Sequence, residues 1–253
     1  MELNIIKVGG KIVEDPASLA GLLDRFAALP GLKVLVHGGG RSATAVASEL
    51  GIETKMVDGR RITDAAMLRV VTMVYGGLVN KSVVAGLQAR GVNAAGVTGA
   101  DLGLIRSDRR EAGEVDYGFV GDVREVSASG FRTLLDAGVV PVVAPLTHDG
   151  HGQLLNTNAD TIASAVATGL ARDYDVSLTY CFEHPGVLRD PEDDSSAIQS
   201  ITPDEYEQLK AEGVVSGGMI PKLDNAFEAL RRGVKRVVIT AADNLEGGTT
   251  IWM

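Results

Sequence analysis

Short apolar runs alternate with helically spaced segments along nearly the whole chain, and this alternation narrows the fold more than any other property. Residues 3–8 suit a buried strand broken only by Lys7. Residues 16–28 then repeat Leu19, Leu22, Leu23 and Phe26 on one helical face, residues 33–36 form a second strand, and residues 41–50 a second helix. A strand–helix–strand unit of this kind predicts a parallel sheet with right-handed crossovers. The filling agrees. Apolar residues make up 45% of the chain but aromatics only 4%, so the core must be Val, Leu, Ile and Ala, the usual filling of a sheet covered on both faces.

Further along, residues 54–57 and 61–63 predict a hairpin around Asp58-Gly59. Asp64 reads as the N-cap of a helix through residue 74, and a separate helix follows over 79–90. Residues 94–97 and 139–143 read as buried strands, 103–123 as mixed antiparallel strands, and 158–170 as a helix. A second part begins near Ala171 with a strand over 176–182 and a polar excursion over 183–200. Helices follow over 202–211 and 218–232, then a strand over 236–240 and a last edge strand over 249–252. The 253 residues suit one large α/β domain or two closely joined lobes.

The net charge of −9 excludes a general binder of nucleic acid or of anionic membrane, so any anionic ligand needs local cations and backbone donors. The single cysteine, Cys181, forbids an internal disulfide and predicts a reducing, cytoplasmic setting. No basic segment followed by a long apolar run stands at the N-terminus, and the most apolar stretch, 137–146, is about half a membrane span. The acidic run 190–194 reads as a solvated loop, with no second acidic or histidine cluster to make a metal site.

Five short patterns have the composition of anion sites. In Lys7-Val8-Gly9-Gly10 a glycine pair lets the backbone turn and aim its amides at an anion. Its lysine is costly in an apolar strand unless the ammonium meets a partner. His37-Gly38-Gly39-Gly40 exposes amides beside a helix start. No Gly-Lys-Ser/Thr follows, so it is no Walker loop, and His37 reads as structural. Gly59-Arg60-Arg61-Ile62-Thr63 offers guanidinium forks suited to a carboxylate. Asn156-Thr157-Asn158-Ala159-Asp160 holds three cap-type residues where a helix needs one. Gly217-Gly218-Met219-Ile220-Pro221-Lys222 opens a helix with a second lysine. Each has a plain alternative as a snorkelling lysine, a tight turn, a solvated arginine or an ordinary cap.

In order and spacing, the five patterns together resemble the amino-acid kinase family, and within it the kinases of N-acylated glutamate. The resemblance covers nearly the whole chain. It implies a three-layer α/β/α sandwich with a mainly parallel central sheet, forming one continuous domain. Residues 1–172 would make an N-terminal lobe for acylglutamate binding and dimerisation, and residues 173–253 a C-terminal lobe for ATP. The implied reaction is ATP-dependent phosphorylation of the side-chain carboxylate of N-acetyl-L-glutamate, or of a close relative such as N-succinylglutamate, in arginine biosynthesis.

The resemblance carries the two transition-state lysines onto Lys7 and Lys222 and the organising aspartate onto Asp160. It carries substrate contacts onto Gly39, Gly40, Arg61 and Asn156, and phosphate donors onto Gly9, Gly10 and Gly218. Mg2+ would be held mainly by nucleotide phosphates, with no metal-ligating residue of the chain. The partners implied are a small acylglutamate and a second copy in a homodimer, with neither nucleic acid nor membrane. Arginine-inhibited relatives carry an extra helix before the first strand, so inhibition by that route is not expected.

Two departures stand out. The strand over 176–182 would end in Thr/Ser-Asp-Val-x-Gly in similar chains but here runs Thr179-Tyr180-Cys181-Phe182-Glu183-His184-Pro185-Gly186-Val187, which leaves the adenine contacts unmapped. Arg41 follows the glycine loop and Arg60 precedes Arg61. These added cations would admit an acyl group with its own carboxylate, or else lie on the surface. A noncatalytic ligand-binding protein on the same fold and another amino-acid kinase, such as a glutamate 5-kinase, are the alternatives.

Overall fold

The computed structural model describes residues 1–57, 59–217, 219–245 and 247–253, with Pro221 described in its backbone only. In chain order the first elements are β1 (Glu2–Val8), α1 (Gly10–Glu14), α2 (Pro16–Ala28), β2 (Leu32–His37), α3 (Gly40–Glu49), β3 (Met56–Val57), β4 (Arg60–Arg61) and α4 (Ala65–Val71). A π-helical segment, Thr72–Val79, leads into α5 (Asn80–Gln88) and β5 (Ala94–Val97). Next come β6 (Ile105–Arg109), β7 (Gly121–Val126), α6 (Ala128–Asp136), β8 (Val140–Val143), β9 (Leu146–His148), β10 (Leu154–Asn156) and α7 (Ala159–Leu170). The rest is β11 (Asp175–Phe182), β12 (Ser200–Ile201), α8 (Pro203–Ala211), α9 (Met219–Arg231), β13 (Arg236–Ala241) and β14 (Thr249–Ile251).

Eight strands form the central sheet in the order β12-β14-β13-β11-β1-β2-β8-β5. It is parallel throughout except where β14 runs antiparallel to β13. Both faces are buried, which explains the aliphatic composition. Alternation along β1 sends Leu3 and Ile5 to one face and Ile6 and Val8 to the other. The first face packs on α6, α7, α8 and α9, and the second on α1 to α5, so the three-layer α/β/α sandwich is as expected. A four-stranded sheet, β10-β9-β6-β7, and the β3–β4 hairpin flank the main sheet. Asp58, of the expected Asp58-Gly59 turn, lies outside the described residues.

Most helix starts obey local chemistry. Asp15 caps α2, accepting from the Ser18 amide at 2.7 Å with Pro16 in the first turn, and Asp64 caps α4 through the Met67 amide at 2.8 Å. Thr202 and Glu205 form a reciprocal capping box on α8. Three expectations need correction. The helices expected over 64–74 and 79–90 are one continuous helical run, Ala65–Gln88, because Gly76 and Gly77 are absorbed by wider π turns packed on the core. This run, rather than 137–146, is the apolar stretch long enough to cross a bilayer, and Met67, Val70, Val74, Val83 and Leu87 bury it against the second face. Finally, β14 is not the sheet edge, since Ser200 and Ile201 pair outside it as β12.

β1 lies at the centre with β2 on one side and β11 on the other, so chain direction through the sheet reverses beside it. In open parallel sheets, a crevice at the carboxyl ends of such strands is where ligands bind.

Candidate active site

Lys7 is the penultimate residue of β1 and shares a face with Leu3 and Ile5. Its parallel register partner on β11 is Tyr180, and Phe182 follows on the same face. α7 covers this end, and its first turn brings the Asp160 carboxylate to 2.7 Å from the Lys7 ammonium, whose side chain is only 8% exposed. That pairing is what allows a lysine inside an apolar strand. α9 brings Lys222 from the far end of the chain, with its ammonium 3.6 Å from the Phe182 ring centroid. The Lys7 ammonium is 5.0 Å from the same centroid. Burial moves the Lys222 ammonium below its ordinary pKa, with Asp160 and Glu183 opposing the shift and Lys7 adding to it. Among the described residues no carboxylate lies in ion-pair range of Lys222.

The two glycine turns meet backbone to backbone. Gly9 caps α1 and donates its amide to the Cys181 carbonyl at 3.3 Å, while Gly39 caps α3. A Cβ on Gly38 would stand 3.0 Å from the Gly10 nitrogen, so no larger residue fits there without parting the turns. Glu14, from α1, accepts from the amide and hydroxyl of Ser42 at 2.6 and 2.9 Å and locks α1 to the first turn of α3. The Gly9 and Gly38 amides are spent on the Cys181 and Val8 carbonyls, while the Gly10, Gly39 and Gly40 amides come together beside one crevice, an arrangement suited to an anion.

His37 lies beneath this junction and does no acid–base work. Asn80 donates to its Nε2 at 3.1 Å and to the Val142 carbonyl at 2.9 Å, which leaves the proton on Nδ1 to be donated to the Gly38 carbonyl at 2.7 Å. Burial pushes its pKa down to about 4, so the ring is neutral.

Two chambers open on either side of Gly10 and Gly40. The first, of about 210 Å³, is lined by Gly39, Gly40, Arg61 and Asn156. Arg61 donates to the Gly40 carbonyl at 2.7 Å and to the Thr44 and Thr54 hydroxyls at 2.9 and 3.2 Å, tying the hairpin to α3. Asn156 donates to the Thr63 hydroxyl at 2.9 Å. The asparagine motif thus divides its labour. Asn158 caps α7, Asn156 faces the chamber, and Asp160 holds Lys7. The second chamber, of about 820 Å³, is lined by Gly9, Gly10, Phe182, Glu183 and Lys222. Gly218 lies outside the described residues.

The two extra arginines part company. Arg60 lines the first chamber and Arg41 the second. Two further residues of the first chamber carry no sequence motif. Arg110 pairs with Asp122 across β6 and β7, and Tyr75 packs its ring where a Gly39 Cβ would stand, 3.1 Å away. Tyr75 is the one aromatic in the helical run Ala65–Gln88, the only signal by which sequence could have singled it out.

Residues 2–241 match the model of a family described as the amino acid kinase family. The chain is 64% identical over 245 residues to the acetylglutamate kinase of Bacteroides thetaiotaomicron, covering 97% of this chain and 95% of that protein. It is 62% identical over 252 residues to the acetylglutamate kinase of Bacteroides fragilis, covering 99% and 97%. Among solved structures, smu.665 from Streptococcus mutans matches with a TM-score of 0.81 at 28% identity, over 98% of both chains.

Proposed function

Because the chain belongs to the amino acid kinase family, we propose that it is a carboxylate kinase that transfers the γ-phosphoryl group of ATP to the side-chain carboxylate of N-acetyl-L-glutamate in arginine biosynthesis. One observation carries the reading. Two lysines from opposite ends of the chain converge on one ring beside two glycine turns whose amides face the same crevice. The carboxylate is already ionised and needs no general base, so catalysis reduces to aligning two anions and offsetting their repulsion. A carboxylate oxygen attacks the γ-phosphorus, the bond to the ADP oxygen breaks, and the products are an acyl phosphate and ADP.

In this reading Gly39, Gly40, Arg61 and Asn156 hold the acylglutamate in the first chamber. Gly10 and Lys7 receive the transferring phosphoryl group; Gly9, whose amide is engaged by the Cys181 carbonyl, and Gly218 are assigned with them from the sequence alone. Lys222 stabilises the leaving ADP, and Asp160 orients Lys7. Mg2+ would ride on the nucleotide phosphates and lower their charge. Residues 1–172 serve the acylglutamate and residues 173–253 the nucleotide. Met73 and Leu78, 52% and 59% exposed on the π-helical segment, supply an apolar surface for a homodimer through the N-terminal part. Cys181 is a free, buried thiol, which suits a cytoplasmic, reducing setting.

A second reading concerns the acyl group. Arg60 lines the first chamber, and this supports a tail that ends in its own carboxylate, such as succinyl, whereas Arg110 beside it is already paired with Asp122. The test is ATP-dependent formation of an acyl phosphate, trapped with hydroxylamine, over a panel of N-acylglutamates with Lys222→Ala as control. No trapped product with any of them, despite measurable binding, would sink the kinase reading in favour of a binding protein. A higher kcat/KM for acetyl, unchanged in Arg60→Ala, would dismiss the succinyl reading.

A further inference from the structure

We propose that Phe182 is a positioning residue, whose ring face holds the Lys222 ammonium, and more loosely that of Lys7, at the wall of the second chamber. The inference rests on the reading of these two lysines as phosphate-facing groups.

The ring stands at the end of β11, half-buried, with Lys222 Nζ at 3.6 Å and Lys7 Nζ at 5.0 Å from its centroid. Both distances fall within the range in which a ring quadrupole attracts an ammonium group. Tyr180, two residues back on the same face, stacks on Phe182 with centroids 6.2 Å apart and planes 13° from parallel, which fixes the ring's tilt. The two lysines are otherwise held differently. Lys7 has Asp160, whereas the carboxylate nearest Phe182 in sequence, Glu183, is engaged by Lys11. The ring is therefore the electron-rich group observed on Lys222.

The chemistry suits a group that must hand its charge to an incoming anion. A carboxylate partner would hold Lys222 by a full opposite charge and compete with a nucleotide phosphate. A ring face aims the ammonium with a weaker grip, and the ammonium arrives at the phosphate with its charge uncompensated.

Fluorination of Phe182 tests it, because 4-fluoro-, 3,5-difluoro- and 3,4,5-trifluorophenylalanine keep the ring's shape while draining its negative face. The expected result is a stepwise fall in kcat, reaching about three- to tenfold for the trifluoro ring and for Phe182→Leu. KM for the acylglutamate should hold steady, and Phe182→Tyr should keep kcat. In the ligand-free protein, the Lys222 Cε protons, assigned with Lys222→Arg, should resonate upfield under the ring current and return in Phe182→Leu. Full kcat with the trifluoro ring overturns the proposal. So does absence of the ring-current shift, whether or not the protein turns over. A ring-current shift in a protein that forms no acyl phosphate would leave the ring contact standing and overturn the kinase reading instead.

Discussion

Around the first chamber, what a ligand meets is held by backbone and by buried hydrogen bonds. Glycine turns abut, Glu14 spans two helices, and Arg61 and Asn156 are both tied to neighbours that are themselves tied. Around the second chamber the holding groups are side chains at the ends of elements. These are a phenyl ring, the Lys11–Glu183 ion pair and the first turn of α9. The first construction is stiff and tolerates little substitution. The second can be rebuilt by changing side chains without moving the sheet.

The lysines give the sharpest contrast. Lys7→Ala and Lys222→Ala should each lower kcat about 10²- to 10³-fold, the loss typical of a charge-stabilising donor. Only Lys7→Ala should also cost stability, about 1–3 kcal/mol, because it strands the Asp160 carboxylate. Thermal melts beside steady-state kinetics separate the two, and equal destabilisation would erase the distinction.

Acid should attack the first region before the second. His37 titrates at about 4 in the folded chain and, unfolded, near 6.5, so the unfolded state takes up the proton first. Its neutral form contributes fully above about pH 6.5, and about 3 kcal/mol is lost as pH falls towards 4. Urea unfolding across that window should show a slope that His37→Gln flattens, and an unchanged slope would contradict the buried tautomer. Next in size is Gly38→Ala. The added methyl meets the Gly10 nitrogen at 3.0 Å and should cost about 1–3 kcal/mol and weaken acylglutamate binding, measured by calorimetry. The smallest effects test the partition of the extra cations. Arg60→Ala should raise KM for the acylglutamate and Arg41→Ala that for ATP, each by about three- to tenfold.

What sequence made legible follows the same division. Helix caps are contacts between near neighbours, so Asp64, Asn158 and Thr202 could be recognised where they stand. The strands of the parallel sheet announce themselves as aliphatic runs. Gly9, Gly10, Gly39, Gly40, Arg61 and Asn156, singled out by short patterns, line the two chambers, and Asp160 meets Lys7. Other features depend on partners far away. Two residues of β12 decide that β14 is not an edge, and core packing carries the Ala65–Gln88 helix across Gly76-Gly77. α6 lies in a stretch for which the pattern announces no helix. Phe182 acquires meaning only once α9 folds back over β11, and Arg110 only once β6 and β7 pair.

The central position of β1 has a consequence for synthesis. Its first neighbour, β2, leaves the ribosome within seconds, but its other edge waits for β11, whose Val176 and Cys181 pair with Leu3 and Val8. At ordinary elongation rates that gap is on the order of 10–30 s. Throughout it the nascent chain carries an open, aliphatic strand edge, the kind of surface that recruits other chains. The strand that bears Lys7 is among the first made and among the last enclosed, so a chaperone that guards the growing chain would find its client surface there.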